Sequence, residues 1–503
     1  MSLAVGGPAL LALYYLILAV LAFYGVHRLW MVVLYLRARG RQPAKPADPQ
    51  QWPIVTVQLP LYNEMYVATR LIDAVCRLDY PRDRLEIQIL DDSTDETSAI
   101  VERLVELHRG QGIDIKMLHR NDRTGFKAGA LAAGLDHAKG SLLAVFDADF
   151  VPQPEFLRAA VPYFADPAIG LVQGRWMHIN RAYSLLTRVQ SIFLDGHFMI
   201  EHIARNRSNC FFNFNGTAGV WRRAAIVEGG GWEHDTLTED LDLSYRAQLI
   251  GWKFLYLPDL AVPSELPVDV NGFKTQQYRW AKGAIQTGRK LTGRVLRSKL
   301  PRRVKFEAFV HLTNNISYPL MLVLSLLIFP AMLLRRGTST RMLLLVDLPF
   351  FLTATLSVLL FYLMSQVAGG TGWRRQIRYL PALMGMGIGL SVVNAHAVVT
   401  GLFQRGGTFH RTPKYSIEET GQDWRDKRYR AGVSASFVVE AVLALYFIAC
   451  TTYAVVAGMW MSLPFLLLFV QGFGYMAILS ILPALDAIRL ARTSVRGAGV
   501  NMG

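Results

Sequence analysis

Long apolar runs lie at both ends of the chain, and a region with only short apolar runs lies between them. Residues 8–36 form one apolar run that is interrupted only by His27 and Arg28. Apolar runs return after about residue 303, at positions 316–334, 342–366, 380–403, 436–458 and 463–482. A helix needs about 20 apolar residues to cross a bilayer, and each run is about that long or longer. The pattern therefore predicts membrane helices on both sides of a polar middle region.

The basic residues decide which runs are predicted to span. Arg37, Arg39 and Arg41 directly follow the first run, so the positive-inside tendency places the middle region in the cytoplasm. If every later run crossed the membrane, the basic loop 404–430 would lie on the opposite side. The run 380–403 contains an asparagine, a histidine and four glycines, which makes it the weakest span. We expect it to lie in the membrane interface, which leaves about five spanning helices in addition to interfacial helices.

The middle region alternates between short apolar runs and stretches with helical periodicity. Strands are predicted from the apolar runs at 54–59, 85–90, 113–118 and 142–146, and helices fit the gaps between them. Such alternation predicts an α/β, Rossmann-like fold, in which helices cover both faces of a mostly parallel sheet. In such sheets ligands bind at the carboxyl ends of the strands.

These patterns divide the chain into three predicted segments. They are an N-terminal membrane helix with its basic flank (1–44), a cytoplasmic catalytic domain that ends in basic interfacial helices (45–305), and a C-terminal membrane region (306–503). The Arg-, Ala- and Gly-rich composition is typical of bacteria. We therefore expect a multi-pass protein of a bacterial inner membrane, with its catalytic domain in the cytoplasm.

Composition narrows the class of partner. The formal net charge is +15, and 52% of the residues are hydrophobic. The basic run 286–305 directly precedes membrane segments, so it predicts either a solvated basic face or a helix on anionic lipid, and not a nucleic-acid site. Cys76, Cys210 and Cys450 lie far apart, which argues against a disulfide framework and a zinc site.

Polar residues follow each of the predicted strands, at the edge of the sheet where ligands bind. They are Tyr62, Glu64, Asp91, Asp92, Lys127, Asp147 and Asp149. Mg²⁺ or Mn²⁺ held by one or two carboxylates can bridge the oxygens of a nucleoside diphosphate. Asp147 and Asp149 are two positions apart and face the same side of an extended segment, and Lys127 can supply a point charge. Any one of these residues could instead form a turn or a helix cap, but four sets in register favour a binding site.

A second group of polar residues follows further along the chain. It consists of Asn215, Gly216 and Thr217, then Glu239 and Asp240, and then Gln276, Arg279 and Trp280. Transfer of a sugar to a hydroxyl needs a carboxylate that removes the acceptor proton, and Asp240 is a candidate for this base. Asp240 could instead be a capping acid of the helix predicted over 241–249. Trp280 can stack on a sugar face, and Arg279 can stabilise a leaving diphosphate.

The order of these motifs, Asp-x-Asp, Thr-Glu-Asp and Gln-x-x-Arg-Trp before membrane helices, resembles that of processive glycosyltransferases of family 2. Cellulose, hyaluronan and chitin synthases belong to this family. The segments 214–222, 251–256, 264–267 and 276–280 look closest to the plant cellulose-synthase-like A and C families. The resemblance implies a GT-A fold, inversion at the anomeric carbon and a divalent metal, Mg²⁺ or Mn²⁺.

The resemblance also implies roles for individual residues. The implied contacts to the nucleotide base are made by Tyr62, Glu64, Asp91 and Asp92. The diphosphate and metal are implied to lie against Lys127, Asp147 and Asp149. The implied catalytic residues are Asp240 as base, Glu239 and Arg279; donor and acceptor are held by Gln276, Arg279 and Trp280, and the acceptor also by Asn215, Gly216 and Thr217. Thr412 and Lys414 lie in segment 409–414, which resembles a Phe-x-Val-Thr-x-Lys gating loop that closes over the donor, except that Arg411 replaces its valine.

The leading hypothesis is an inverting hexosyltransferase that elongates a β-linked glucan, mannan or glucomannan from UDP-glucose or GDP-mannose. One alternative is a lipid glycosyltransferase that adds a single sugar to ceramide or diacylglycerol. Another is a non-catalytic membrane scaffold or transporter. We expect a nucleotide-sugar donor, a polysaccharide or lipid acceptor and membrane lipids as partners, together with an export partner or a second copy of the chain. No residue decides between the two sugars.

Overall fold

A seven-stranded mixed sheet forms the middle of the chain in the computed structural model, which describes residues 3–335, 345, 348–370 and 372–500. The strands are β1 (Val55–Leu61), β2 (Leu85–Asp91), β3 (Ile115–His119), β4 (Leu142–Val145), β5 (Ile169–His178), β6 (Gly219–Arg222) and β7 (Lys253–Ser264). Their order across the sheet is β3-β2-β1-β4-β6-β5-β7. Strand β6 runs antiparallel to β4 and β5, and the other neighbours are parallel. The predicted α/β fold is confirmed, and the four predicted strands correspond to β1–β4.

The sheet is buried on both faces, so the polar residues that alternate with apolar ones along β1 and β2 are buried as well. Every residue of β2 is buried, including Glu86 and Gln88. Their side chains bond to polar partners on β1: Thr56 Oγ1 donates to Glu86 Oε2 at 2.5 Å, and Gln58 Nε2 donates to Gln88 Oε1 at 3.0 Å. Polar side chains inside the sheet are thus paired with each other.

Helices cover both faces of the sheet. They are α2 (Ala68–Cys76), α3 (Thr97–Gly110), α4 (Phe126–Asp136), α5 (Phe156–Ala160), α6 (Leu185–Asp195), α7 (His202–Arg207), α8 (Arg223–Glu228), α9 (Glu239–Leu249) and α10 (Val270–Arg297). A π-helical turn, Gly196–Glu201, connects α6 to α7. On one face the apolar core includes Leu131 of α4 and also Met31, Phe361 and Leu383 from the membrane region. The catalytic domain and the membrane helices therefore share a core.

Helices that are mostly long and apolar precede and follow this domain. They are α1 (Leu3–Ala38), α11 (Arg302–Thr313), α12 (Ser317–Leu334), α13 (Leu348–Ala368), the short α14 (Trp373–Gln376), α15 (Leu380–Gly389), α16 (Ser391–Phe403), α17 (Ser436–Val456) and α18 (Leu463–Val500). Among the described residues, six segments are long and apolar enough to cross a membrane, against about five expected. The predicted run 342–366 corresponds to α13, and its residues 342–344 and 346–347 lie outside the described residues.

The additional segment is Trp373–Phe403, which contains the run 380–403 that was predicted to lie in the membrane interface. Its most apolar window is 72% buried inside the protein, whereas that share is 22–33% in the other five. A break at Leu390 separates α15 from α16. Gly385 and Gly472 let α15 and α18 approach closely, because a Cβ at Gly472 would lie 2.3 Å from the Gly385 carbonyl oxygen. This segment is therefore covered by protein more than any other candidate span.

A buried ion pair connects the catalytic domain to the membrane helices. Lys274, in the first turns of α10, donates to Glu440 Oε2 of α17 at 2.6 Å and to Ser480 Oγ of α18 at 2.6 Å. Lys274 and Glu440 are almost completely buried. Because α10 also carries Gln276, Arg279 and Trp280, this contact determines where those residues stand relative to the membrane.

Candidate active site

One pocket at the carboxyl ends of β1, β2 and β4 gathers the polar residues that follow these strands. Helices α4, α6, α9 and α10, the end of β5 and the loop 404–430 also line it. All but two of the predicted site residues line it: Tyr62, Glu64, Asp92, Lys127, Asp147, Asp149, Asn215, Gly216, Glu239, Asp240, Gln276, Arg279, Trp280, Thr412 and Lys414. The structure thus brings together residues that are more than 350 positions apart in the chain.

The two exceptions, Asp91 and Thr217, lie behind the pocket wall. Asp91 is fully buried, and its carboxylate accepts hydrogen bonds from Ser98 Oγ at 2.7 Å and from the backbone N–H of Ser93, and it pairs with His119 Nδ1 at 2.8 Å. Thr217 Oγ1 accepts the backbone N–H of Asp147 at 2.9 Å. Both residues support their neighbours and do not face the pocket, which differs from the direct donor and acceptor contacts expected for them.

Four carboxylates in the pocket are each paired with a cation from another segment of the chain. Lys127 Nζ lies 2.5 Å from Asp147 Oδ1, and Lys414 Nζ lies 2.7 Å from Asp149 Oδ2. A further pair joins Arg120 to Asp92 through two hydrogen bonds of 2.8 and 2.6 Å. Arg411 Nη1 lies 3.0 Å from Glu64 Oε2. The replacement of valine by arginine at position 411, relative to the gating-loop pattern, therefore adds a cation to the pocket.

Burial raises the pKa of several carboxyl groups in the pocket, including those of Asp240 and Glu64. Burial, and next the charge of Glu239, raise the pKa of Asp240 to about 7, although Lys127 opposes this. Burial also raises the pKa of Glu64 to about 8, against the lowering effect of Arg411. Burial disfavours the charged form of Lys127, but Asp147 and Glu239 outweigh it, so the pKa of Lys127 is raised and the ammonium stays charged. The pKa of Asp240 therefore matches that of a base working near neutral pH.

Gly216 lets the backbone pass directly beside Asp240. Its φ is +79°, and a Cβ at this position would lie 3.1 Å from Asp240 Oδ2 and 3.3 Å from Lys127 Nζ. Lys127 Nζ also donates to the Gly216 carbonyl oxygen at 2.9 Å. A residue with a side chain would be strained at this φ and would also displace Asp240 or Lys127.

The loop 404–430 covers the pocket and contacts residues from several elements. Arg279 Nη1 donates to the His410 carbonyl oxygen at 2.9 Å, and its guanidinium lies 4.2 Å from the centre of the Phe409 ring. Phe409 also stacks on Phe126 of α4, with ring centres 6.0 Å apart. Thr412 is buried. The loop thus lies over the pocket, and Phe409, Arg411, Thr412 and Lys414 line it.

Asn215 is hydrogen-bonded by two histidines, His197 and His202, for which the sequence predicted no role. Asn215 Nδ2 donates to His197 Nε2 at 2.9 Å, and His202 Nε2 donates to Asn215 Oδ1 at 2.7 Å. The two imidazole rings pack with centres 4.2 Å apart. They are five positions apart, and the π-helical turn brings both to Asn215. No sequence pattern announces a π-helical turn, so this contact could not be predicted.

Two sets of carboxylates could be considered for a metal. Glu233, Asp235 and Asp242 bring ligand atoms within 4.8 Å of one another. Lys290 Nζ already pairs with all three, at 2.5, 2.8 and 3.0 Å, so an ammonium occupies the centre of that set. Asp147 and Asp149, in contrast, line the pocket and are each paired with a lysine whose ammonium can move to another anion.

Comparison with known proteins gives a consistent family. Residues 52–283 match the family described as "Glycosyltransferase like family 2". The chain is 33% identical over 499 residues to "Glucomannan 4-beta-mannosyltransferase 7" of Arabidopsis thaliana, an alignment that covers 92% of this chain and 86% of the relative. It is 46% identical over 259 residues to "Glucomannan 4-beta-mannosyltransferase 2" of the same plant, covering 50% of this chain and 48% of the relative. The alignment thus covers most of the length of the first relative and about half of the length of the second.

The fold is also found in a solved structure. A mannosyltransferase from Pyrobaculum calidifontis, in complex with GDP-Man and Mn²⁺, is similar with a TM-score of 0.52 and 22% identity over 78% of this chain and 99% of that one. It supports the GT-A fold. The sequence relatives, in contrast, overturn one prediction. Both are plant proteins, so the bacterial inner membrane inferred from composition was wrong.

Proposed function

This chain belongs to glycosyltransferase family 2, and we propose that it elongates a β-linked mannan or glucomannan at a membrane by transferring mannose from GDP-mannose. The choice of mannose is based on the names of two relatives, which are glucomannan 4-β-mannosyltransferases. They act on a polysaccharide, which favours polymer elongation over the lipid glycosylation considered from the sequence. The observation that carries the proposal is that paired cations and carboxylates lie beside Asp240 in one pocket that Trp280 also lines.

In this proposal the nucleotide lies against the β1 and β2 side of the pocket. Tyr62 presents its ring there, and Arg123 packs over that ring at 3.3 Å from its centre. Asp92 lines the same side and accepts hydrogen bonds from Arg120, which holds its carboxylate toward the pocket. A carboxylate oxygen has more than one lone pair, so Asp92 can still accept an N–H from a nucleobase.

The diphosphate would lie between Lys127, Arg279 and Lys414. These residues pair with Asp147, a backbone carbonyl and Asp149 in the closed pocket. A diphosphate is a stronger anionic partner than a single carboxylate, so we propose that the cations shift to its oxygens when the donor binds. Their charge would then stabilise the leaving GDP as the glycosidic bond forms.

Asp147 and Asp149 fit a hard divalent cation. Each carries a carboxylate that an ammonium neutralises in the structure, at distances of 2.5 and 2.7 Å, so each position already accommodates positive charge. Mg²⁺ and Mn²⁺ are commonly held by one or two carboxylates together with substrate phosphates. We propose that Asp149, with Asp147, holds Mn²⁺ or Mg²⁺, which would neutralise charge on the diphosphate when bound.

Asp240 would act as the base. It lies in the first turn of α9 next to Gly216, and its Oδ1 accepts the backbone N–H of Leu241 at 2.8 Å, which leaves Oδ2 toward the pocket. We propose that Asp240 removes the proton of the attacking hydroxyl while the bond from the anomeric carbon to the diphosphate breaks. A single displacement of this kind inverts an α-linked donor and gives a β-linkage.

The test is donor turnover by the full chain in lipid nanodiscs with Mn²⁺ or Mg²⁺. GDP-mannose, UDP-glucose and both together would be supplied, and the products sized and digested with a β-mannanase. We expect long, mannanase-sensitive chains from GDP-mannose and no product from the Asp240→Asn variant. A single sugar on lipid, or polymer from UDP-glucose alone, would contradict the proposal.

A further inference from the structure

Two aromatic residues of β5, Trp176 and His178, line the pocket, and neither is among the residues proposed to bind the donor or to act as the base. We call them the β5 wall. They are two positions apart on a strand, so both side chains point to the same face of the sheet. Met177 between them points the other way and is exposed. The β5 wall is thus a feature of the pocket itself.

The β5 wall contains buried polar atoms without a partner. Within the described part of the chain, the indole Nε1 of Trp176 and both imidazole nitrogens of His178 are buried and make no hydrogen bond. The His178 side chain is more than nine-tenths buried. An unpaired buried donor or acceptor is destabilising, and native proteins pair nearly all of them. Three such atoms on one pocket wall therefore indicate a ligand that pairs with them.

The chemistry of these atoms points to a neutral, hydroxyl-rich ligand. Burial, and next the charges of Arg181 and Arg175, lower the pKa of His178 to about 3, so its ring is neutral at physiological pH. A neutral imidazole offers one donor and one acceptor, and the indole offers one donor. Sugar hydroxyl groups both donate and accept, whereas a phosphate offers no donor for the imidazole acceptor. The aromatic surroundings also suit a sugar ring, since Trp176 packs 6.3 Å from Trp280 and 5.2 Å from Phe150.

The position in the sheet separates the β5 wall from the nucleotide side. Tyr62 and Asp92 follow β1 and β2, whereas β5 lies beyond β4 and β6 in the strand order. Leu194 of α6 lines the pocket close to the membrane helices, because its neighbour Phe193 packs on Tyr362 of α13 with ring centres 5.5 Å apart. Trp176 packs beside Trp280, the residue that can stack on a sugar face. The β5 wall therefore lies away from the nucleobase side and next to the place where sugar units are expected.

We propose that Trp176 and His178 form a subsite that hydrogen-bonds the hydroxyl groups of the acceptor's terminal hexose units. This inference rests on the proposed function, since it assigns the acceptor side of the same pocket. It makes the β5 wall a determinant of which glycan end the pocket accepts.

The experiment uses the full chain in lipid nanodiscs with two readouts. The first is direct calorimetric binding of β-1,4-linked manno-oligosaccharides and gluco-oligosaccharides, without donor. The second is transfer from GDP-mannose, with KM determined separately for oligosaccharide and donor. The variants are His178→Phe and Trp176→Phe, which remove the polar atoms and keep the aromatic ring. The matched controls are Met177→Leu, on the other face of β5, and Trp252→Phe, whose indole donates to Glu228 outside the pocket.

We expect His178→Phe and Trp176→Phe each to weaken oligosaccharide binding and raise the acceptor KM about tenfold, the effect of losing one or two hydrogen bonds. The donor KM should change less than twofold, His178→Asn should restore part of the binding, and the controls should match the wild type. Unchanged oligosaccharide affinity in folded variants, no oligosaccharide binding by the wild type, or a change in donor KM alone would each overturn the inference. If the wild type binds the oligosaccharides and the two variants bind them more weakly, but no protein transfers mannose, the proposed function would be wrong and the subsite would stand.

Discussion

Lys414 Nζ lies 2.7 Å from Asp149 Oδ2, and this ion pair joins the loop 404–430 to the end of the β4 segment across 265 positions of the chain. Lys414 Nζ also donates to the Glu265 carbonyl oxygen at 2.5 Å, beside β7. Lys414 is buried, so the pair is shielded from solvent and from salt. The loop is thus anchored by a contact to a carboxylate that we propose as a metal ligand.

The Lys414→Met variant should lose this anchor and a cation for the diphosphate. A hydrogen bond to a charged group contributes about 1.5–3 kcal/mol, so kcat/KM for the donor should fall about 10- to 100-fold. Steady-state kinetics with varied donor would measure it. Lys427→Met is the matched control, since Lys427 belongs to the same loop but lies over the half-buried ring of Tyr66 and does not line the pocket. Equal losses in both variants would show that loop basicity, and not this anchor, matters.

Gly216→Ala should impair catalysis through steric contact with Asp240. The new Cβ would lie 3.1 Å from Asp240 Oδ2, and the φ of +79° adds backbone strain of about 1 kcal/mol. We expect a fall in kcat of at least about tenfold, because a small displacement of a catalytic group is costly. Gly112→Ala has the same φ of +79° and no atom within 4 Å of the added Cβ. It should lose stability to a similar degree and keep full activity.

The strand-end chemistry could be predicted from the sequence because each polar turn directly follows an apolar run. Tyr62, Asp92 and Asp147 were found in this way, and the parallel sheet then brought them together. Strand β5 could not be predicted in the same way. Gly170 and Gly174 interrupt its apolar run, and it ends in the aromatic residues of the β5 wall. Its partner β7 follows about 80 positions later, so no local pattern pairs them.

The loop contacts show a second limit of sequence-based prediction. The resemblance to a gating loop predicted that Thr412 and Lys414 reach the donor site, and both line the pocket. Arg411 was only a departure from that pattern, because its partner Glu64 lies almost 350 positions earlier in the chain. Long-range ion pairs of this kind depend on the tertiary fold, and only the structure identifies them.

Glu440→Ala should destabilise the contact between α10 and the membrane helices. It would leave the buried ammonium of Lys274 with Ser480 as a partner but without a countercharge. Breaking a buried ion pair by removing one partner costs about 3–5 kcal/mol, while replacing both partners with apolar residues is often neutral. Thermal unfolding in detergent should therefore show a large loss for Glu440→Ala and a recovery in the Lys274→Met, Glu440→Leu double variant. An additive loss in the double variant would exclude a direct coupling.

Because of Asp240, the free energy of unfolding should decrease as pH rises toward neutrality. The pKa of Asp240 is raised in the folded protein, so the folded state holds the proton more tightly than the unfolded chain does. The contribution of this group is present at low pH and is lost as pH rises from about 4 to about 7. Asp240→Asn should therefore raise the unfolding temperature relative to the wild type at pH 8, and less so at pH 5. Differential scanning calorimetry of both proteins at the two pH values would measure it.

The pH dependence of activity should identify the base. Asp240 must be deprotonated to accept a proton, so kcat/KM should increase as pH rises through about 7 and then level off. Glu239 raises the pKa of Asp240 and Lys127 lowers it. Glu239→Gln should therefore move the rise to lower pH, and Lys127→Met should move it to higher pH. Both variants will also lose activity, so the position of the rise, and not its height, is the readout.

Shifts of the pH profile in opposite directions are the decisive outcome, because they require one titrating group that interacts with both Glu239 and Lys127. A base elsewhere in the pocket would respond differently. Glu64, whose pKa is raised to about 8, takes its opposing charge from Arg411 and not from Lys127. Arg411→Gln is thus the matched control: it should leave the rise near pH 7 if Asp240 is the base. A shift in Arg411→Gln, with unchanged profiles in the other two variants, would assign the base to Glu64.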